Sequence, residues 1–412
     1  MPERGKKMIE KLYVDNFKSL NEFEITLSPF TVIVGNNTAG KSSVLQVIEF
    51  LMNTVREDFN VILERRGWTV GDVKSKLCSK SRICIQCDIG FPNGESYRKI
   101  SWELVISAYI NKNIMELSSE KIILHEQNEE KELLVYNTSS AAECCLYDAV
   151  GEKHPIEGIS EIHSSFLKMI SISDENKSKY PILTALKEYL LDSDSFELLS
   201  PEKMRLSSRG VVDSIGNAGE KLPSFIKSMT EIQKNNFNKN IAEIFGDTVV
   251  SVDAKTKGTP GWTQIISTER YLKKTMPIES KNMSDGMLRM LAFLAVAETD
   301  KQGVTMLFDE IENGINLNYA EKLIHVLKTS CQSKGNQLIV TTHSAIFMDY
   351  VDMEEIIYLF RDPETGFTRA EALFDRPVFR KKLEYLYPGE VFMNISNEEI
   401  VKMLLETEGN DK

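Results

Sequence analysis

The chain has 412 residues, 42% of them hydrophobic, and a formal charge of −12, the profile of a globular protein of two or three lobes. The acidity weighs against a general nucleic-acid coat, because phosphate binding relies on clustered Lys and Arg. No run approaches the ~18 apolar residues of a membrane span, and the first ten residues lack the apolar stretch of a secretory signal. A cytoplasmic protein without a membrane partner is expected.

In chain order, Lys11–Phe17 and Phe23–Leu27 alternate like half-buried strands, and Phe30–Val34 is continuously apolar like a fully buried one. A helix follows over Lys41–Asn53, with Val44, Leu45, Ile48 and Leu51 on one face. Residues 81–137 read as an antiparallel sheet, with strands at Ser101–Ser107, Lys121–Leu124 and Glu132–Tyr136 and a turn at Pro92–Glu95. The pattern is mostly helical over 157–245, clearest at Ile182–Leu191, and then returns to strand–helix alternation. The tail Glu406–Lys412 is charged and expected to fray.

Two basic runs, Lys6, Lys7 and Lys11 near the start and Arg376, Arg380, Lys381 and Lys382 near the end, read first as solvated surface. The segment Asp375–Lys382 reads equally well as a surface helix or as a docking element. Six cysteines (Cys78, Cys84, Cys87, Cys144, Cys145, Cys331) offer no disulfide framework. Cys84 and Cys87 have the spacing of half a zinc site, but an alternating strand points them to opposite faces, so buried thiols are the better reading.

The chemistry is concentrated in four runs. Gly35-Asn36-Asn37-Thr38-Ala39-Gly40-Lys41-Ser42, followed by Ser43, fits G-x-x-x-x-G-K-[ST] between a strand and a helix. Its glycines let backbone N–H groups curl around a phosphate, and the helix N-terminus adds partial positive charge. Lys41 would reach the β- and γ-phosphates of ATP, and Ser42 would offer its hydroxyl to Mg2+. The apolar strand Val304–Phe308 delivers Asp309 to hold the same ion and Glu310 to polarise the attacking water. A second apolar strand, Gln337–Thr342, ends in His343, a donor suited to transition-state charge. Ser284-Asp285-Gly286 heads an apolar helix, with Ser284 as its N-cap.

That order resembles the ABC-type ATPases of the SMC, RecF and OLD groups, and most closely the AAA-labelled, AbiEii-like ATPases of prokaryotic defence loci. The resemblance rests on Ser284-Asp-Gly-Met-Leu-Arg289, Asp309-Glu-Ile-Glu312-Asn313-Gly314 and Thr341-Thr-His-Ser344. Weaker matches are Asn16-Phe-Lys-Ser19, Ser200–Arg205 and Gly216–Phe225, so it covers residues 8 to 375. It departs from the family at Asn316, where a His is common, and at Asp285, which stands where transporters have glycine and so argues against a transporter subunit. The metal-sensing glutamine of ABC heads has no clear counterpart; Gln46 and Gln86 are candidates.

The resemblance implies an α/β, ABC-type head: a mixed sheet flanked by helices, an antiparallel β subdomain and an inserted helical lid. The expected division is a phosphate-loop lobe over 1–80, a β subdomain over 81–150, a helical insertion over 151–275, the second ATPase lobe over 276–350 and an extension over 351–412. No heptad run separates the two halves, so no long coiled coil is expected. Residues 345–412 hold no Gly-spaced acidic cluster of the nuclease type found in OLD proteins, so no nuclease activity is expected. The resemblance further implies ATP hydrolysis with Mg2+, with catalytic residues Lys41, Glu310 and His343. The Ser284–Gly286 segment of one protomer would complete the site of another, giving at least a dimer. It implies a switch over a separately encoded effector, such as a nuclease, in anti-phage defence. The rival readings are a RecF-like, DNA-clamping repair ATPase, which leaves nucleic acid open as a partner, and a nucleotide-binding scaffold with little turnover.

Overall fold

The computed structural model describes residues 7–93, 96–127, 129–140, 144–158, 161–197, 199–256, 261–272 and 274–408. The turn at Pro92–Glu95 and the tail from 409 fall partly or wholly outside these residues.

Eighteen strands are described. In chain order they are β1 (Met8–Asp15), β2 (Phe23–Thr26), β3 (Phe30–Gly35), β4 (Arg82–Asn93), β5 (Ser96–Tyr109), β6 (Ile114–Glu126), β7 (Glu129–Asn137), β8 (Cys145–Tyr147) and β9 (Lys153–Pro155). There follow β10 (Asp194–Ser195), β11 (Ser208–Arg209), β12 (Val249–Thr256), β13 (Trp262–Tyr271), β14 (Lys274–Glu279), β15 (Thr305–Phe308), β16 (Gln337–Thr341), β17 (Ile356–Arg361) and β18 (Thr368–Glu371).

The site is built on a six-stranded sheet of order β10-β15-β16-β3-β17-β18, parallel except for β18. Every residue of β3, β15 and β16 is buried, as strands covered on both faces require. Alternate residues feed two cores. Ile33, Leu307, Ile339 and Leu359 face the helix Lys41–Asn53 and an antiparallel eight-stranded sheet. Val32, Val34, Phe308, Val340 and Tyr358 face the helices Asp285–Ala297 and Ala320–Lys334. The period of two in the strands therefore fixes which helix meets which face.

The eight-stranded sheet has the order β2-β1-β4-β5-β6-β7-β8-β9. It absorbs the N-terminal strands as well as the expected β subdomain, so 1–80 and 81–150 share one sheet. Its strand β4 carries Cys84 half-buried and Cys87 buried.

The stretch 151–275 departs from a helical insertion. Helices occur at Pro181–Asp192, Leu222–Ser228 and Glu231–Phe245. Residues 249–279, however, form β12, β13 and β14, an antiparallel group joined by β11. Val252 and Ala254 alternate inward along β12, and Val249 joins them across a register shift before Ser251, a strand pattern that the helical boundary at 275 overran. No described helix exceeds 15 residues, or about 22 Å, too short for a rod. No described helix is long and apolar enough to cross a membrane. Near the end, Phe379 is buried while Arg380 and Lys381 are exposed, so Asp375–Lys382 is a short helical segment anchored by one aromatic ring.

Candidate nucleotide site

The phosphate loop leaves β3 at Gly35 and enters its helix at Gly40. Both glycines have left-handed backbone, φ 144° and 107°, and both are closely approached. A Cβ on Gly35 would stand 2.2 Å from the carbonyl oxygen of Leu359 on the neighbouring strand; one on Gly40 would meet Thr368 Oγ1 at 2.5 Å. Only glycine fits either place. Thr368 Oγ1 also donates to Ser19 Oγ (2.8 Å) and to the Ala39 carbonyl (2.9 Å), tying the Asn16–Ser19 turn and β18 to the loop.

Lys41 is 6% exposed and its Nζ donates to the carbonyls of Gly35 (2.8 Å) and Asn36 (2.9 Å). Burial lowers this ammonium to about 8, against the opposing pull of Asp309, Glu312 and Glu310. Ser42 Oγ donates to Asp309 Oδ2 at 2.8 Å, across 267 positions of chain. The other Asp309 oxygen accepts from Thr341 Oγ1.

Glu310 follows in a left-handed conformation, φ 48°, a strained geometry for a non-glycine residue. Its N–H donates to Thr341 Oγ1 (2.8 Å), and the next N–H, of Ile311, donates to the Thr341 carbonyl (3.1 Å). β16 thus holds the turn that projects the Glu310 carboxylate, which is half-exposed. His343 lies at the end of the same strand. Its Nδ1 is 3.4 Å from Lys41 Nζ and its Nε2 4.0 Å from Glu310 Oε1. Lys41, Ser42, Asp309, Glu310 and His343 therefore converge on one point, as the strand order dictates. Asn36, Asn37 and Thr38 are exposed along the loop rim.

Ser284 and Asp285 are exposed at the head of their helix, and Ser284 Oγ accepts the Met287 N–H (3.2 Å) as an N-cap. Gly286 packs so closely that an added Cβ would stand 2.0 Å from the carbonyl oxygen of Gly314. The Asp309–Gly314 turn and the Ser284 helix are thus one packed unit. Arg205 strengthens it: its guanidinium pairs with Asp285 and donates to the Met283 carbonyl (3.0 Å), while Arg289 donates to the Leu199 carbonyl (3.2 Å). The Ser200–Arg205 run is therefore placed by the structure beside the Ser284 helix.

Gln86 lies on the exposed face of β4, bonded to Glu103. Gln46, one turn beyond Ser42, belongs to a buried polar cluster that the sequence reading missed. Lys18 Nζ donates to Gln46 Oε1 (2.5 Å), and Gln46 Nε2 donates to Glu197 Oε1 (2.7 Å). Arg66 pairs with Glu197 (2.7 Å) and with Glu49, all three side chains 5–6% exposed. Lys18 also lies 3.7 Å above the Trp68 ring. Burial lowers Lys18 to about 8. The cluster joins the Lys41 helix to the segment beside β15, since Glu197 lies two residues past Ser195, the β10 residue paired with Leu307. Its sequence-level traces are Gln46 itself and the Asn16–Ser19 run that contains Lys18, which the structure shows with left-handed backbone.

Residues 160–349 match the family model described as "AAA domain, putative AbiEii toxin, Type IV TA system", and residues 8–150 match the model "AAA ATPase domain". An OLD nuclease of Thermus scotoductus is 40% identical over 48 residues, 12% of this chain; the match spans only 9% of that nuclease. Among solved structures, an Smc head bound to the C-terminal winged-helix domain of ScpA superposes with a TM-score of 0.51 at 16% identity, over 88% of this chain and 97% of that one. An Smc head with an extended coiled coil, bound to the C-terminal domain of ScpA and derived from Pyrococcus furiosus, gives 0.50 at 16% identity, over 92% and 100%. Two AAA models, over residues 8–150 and 160–349, lie on a head fold shared with Smc proteins: the chain carries AAA ATPase domains and is an ATP-hydrolysing enzyme.

Proposed function

We propose that this ATPase works as a nucleotide-driven clamp in the cytoplasm, and that its ATP state controls a separately encoded effector in prokaryotic anti-phage defence. ATP sits in the Gly35–Ser43 loop. Ser42 and Asp309 hold Mg2+, a role their donor set suits: two hard oxygen groups, 2.8 Å apart, with no nitrogen or sulfur competitor between them. The ion, when bound, neutralises phosphate charge. Glu310 orients water, and His343 with Lys41 steadies the developing charge.

The observation that carries the clamp is the placement of Ser284. It heads a 13-residue helix, is exposed, and is bolted through Gly286 to the turn bearing Glu310. An exposed helix N-terminus beside a nucleotide site is suited to the γ-phosphate held by a second copy. Two heads then close face to face, and hydrolysis releases them. The defence reading draws support from the AbiEii-like match, and the absence of a rod-length helix among the described residues favours a compact switch.

The test is ATP turnover per subunit against protein concentration, with mass measured in parallel, for wild type and Glu310→Gln. Turnover should rise as the monomer becomes dimer and fall at least about 100-fold in the variant. Turnover by a persistent monomer would end the composite-site reading. Expression with its genomic neighbours should yield a stable complex that ATP loosens or tightens; ATP-dependent, steeply salt-sensitive binding to duplex DNA without such a complex would replace the effector reading with a DNA clamp.

A further inference from the structure

We propose that Glu312 is a positioning residue for hydrolysis: its carboxylate sets the backbone on which His343 stands. The inference rests on the reading above that His343 acts at the γ-phosphate.

The need for such a clamp arises where β16 ends. The ladder with β3 continues through Thr342, whose N–H donates to the Ile33 carbonyl (3.1 Å). The next N–H, of His343, instead donates to Glu312 Oε1 at 2.6 Å. The other carboxylate oxygen, Oε2, accepts from Thr342 Oγ1 at 2.7 Å, and Thr342 Oγ1 in turn accepts the Ser344 N–H at 3.0 Å. One carboxylate thus grips two consecutive residues, and through the hydroxyl a third. A two-point, charge-assisted grip fixes the rotation of the peptide between Thr342 and His343 as well as its position.

The imidazole has little else to place it. It is one-third exposed, and its two contacts, with Lys41 and Glu310, are long at 3.4 and 4.0 Å. Its aim therefore follows the backbone. The turn carrying Glu312, by contrast, is fixed through its backbone: Glu310 and Ile311 N–H donate to Thr341, Asn313 N–H donates to the Glu310 carbonyl (2.9 Å) and Ile315 N–H to the Glu312 carbonyl (3.0 Å). The side chain is not needed to form the turn. Among the described residues its hydrogen bonds run outward, to the His strand.

Steady-state turnover of Glu312→Ala, Glu312→Gln, His343→Ala and the Glu312→Ala/His343→Ala double variant tests this, with thermal unfolding as the measure of folding. Glu312→Ala should lower kcat about 10- to 100-fold with KM for ATP within about threefold, because Lys41 and the loop still bind the nucleotide. Glu312→Gln keeps one acceptor and should recover part of the loss; being isosteric, it also serves if the alanine variant fails to fold. The double variant should be no more than about twofold slower than His343→Ala alone. Losses that multiply in the double variant, a KM effect with kcat intact, or a Glu312→Gln of full activity would each overturn the proposal. An unaffected His343→Ala would overturn it too, and if Glu310→Gln were still inactive the ATPase site itself would stand.

Discussion

The sharpest test of the packed unit behind the site is a single methyl group. In Gly286→Ala the new Cβ would lie 2.0 Å from the Gly314 carbonyl oxygen and 3.2 Å from its carbon, where real Cβ atoms keep at least 3.0 Å. The helix head or the turn must retreat by about 1 Å. Gly286 has ordinary backbone angles, so the strain is purely steric. The helix cannot slide freely, because Leu288, Met290, Leu291 and Ala292 are buried in the core behind it. Overpacking of this kind costs about 1–3 kcal/mol, a fall of several degrees in Tm. A displacement of about 1 Å at Ser284 or Glu310 should lower kcat by about 100-fold. Thermal unfolding and turnover at saturating ATP measure the two effects, with Ser284→Ala alongside. That variant loses the N-cap, about 1 kcal/mol of helix stability, and the hydroxyl offered to the nucleotide of a second copy, but leaves the helix where it is. A folded Gly286→Ala with wild-type kcat and Tm would refute the claim that the Ser284 helix and the Glu310 turn move as one.

Three further outcomes are expected. Burial holds Lys41 near 8, and the phosphates require its charged form, so ATP affinity should fall about tenfold per pH unit above 8 while staying flat below; calorimetric titration between pH 7 and 9.5 would expose a flat profile if the lysine is not the binding cation. Burial raises Glu120 to about 7, although Trp102, Ser165 and Phe166 all donate to it. The unfolded chain ionises this group near 4.5, so the folded state binds more protons between there and 7, and stability should fall by on the order of 3 kcal/mol as pH rises through that window. Urea unfolding at pH 5 and 8 should show a smaller difference for Glu120→Gln than for wild type, and an equal difference would refute this. Arg66→Met strands Glu49 and Glu197 without their cation and should cost about 3–5 kcal/mol; a loss under about 1 kcal/mol by the same unfolding assay would mean that the cluster is not a load carried by that charge.

The parts that converge at the candidate site were legible in the sequence because each is local. A strand, a glycine-rich turn and a helix start lie within twenty residues, and two apolar strands end in Asp-Glu and His. The head fold followed from their order. What failed was period and distance. Residues 249–279 sit among helices, and their short alternations were swallowed by the neighbouring pattern. β1 pairs with β4, and carries β2 with it, rather than forming its own lobe, a choice made by residues about 70 or more positions apart in the chain, such as Leu12 against Cys87. No local signal encodes that pairing.

The metal-sensing glutamine shows the same limit more usefully. Sought by residue type, it has two candidates. The structure leaves Gln86 on an outer sheet face and Gln46 beside the site, where it is bonded at both ends, to Lys18 and Glu197. These partners lie 28 and 151 positions away. Glu197 lies two residues beyond β10, the strand that flanks β15 on the side opposite β16, so it sits at the sheet edge whose β15 delivers Asp309 and Glu310. A substitution at Gln46 therefore breaks a bridge between the phosphate-loop helix and the β15 side of the sheet, leaving Lys18 and Glu197 each short of a partner. Replacing it by Glu sets a second carboxylate against Glu197 and should be worse than replacing it by Ala; an amide that acted by touching the metal alone would give the opposite order, since Glu keeps the oxygen that a metal needs.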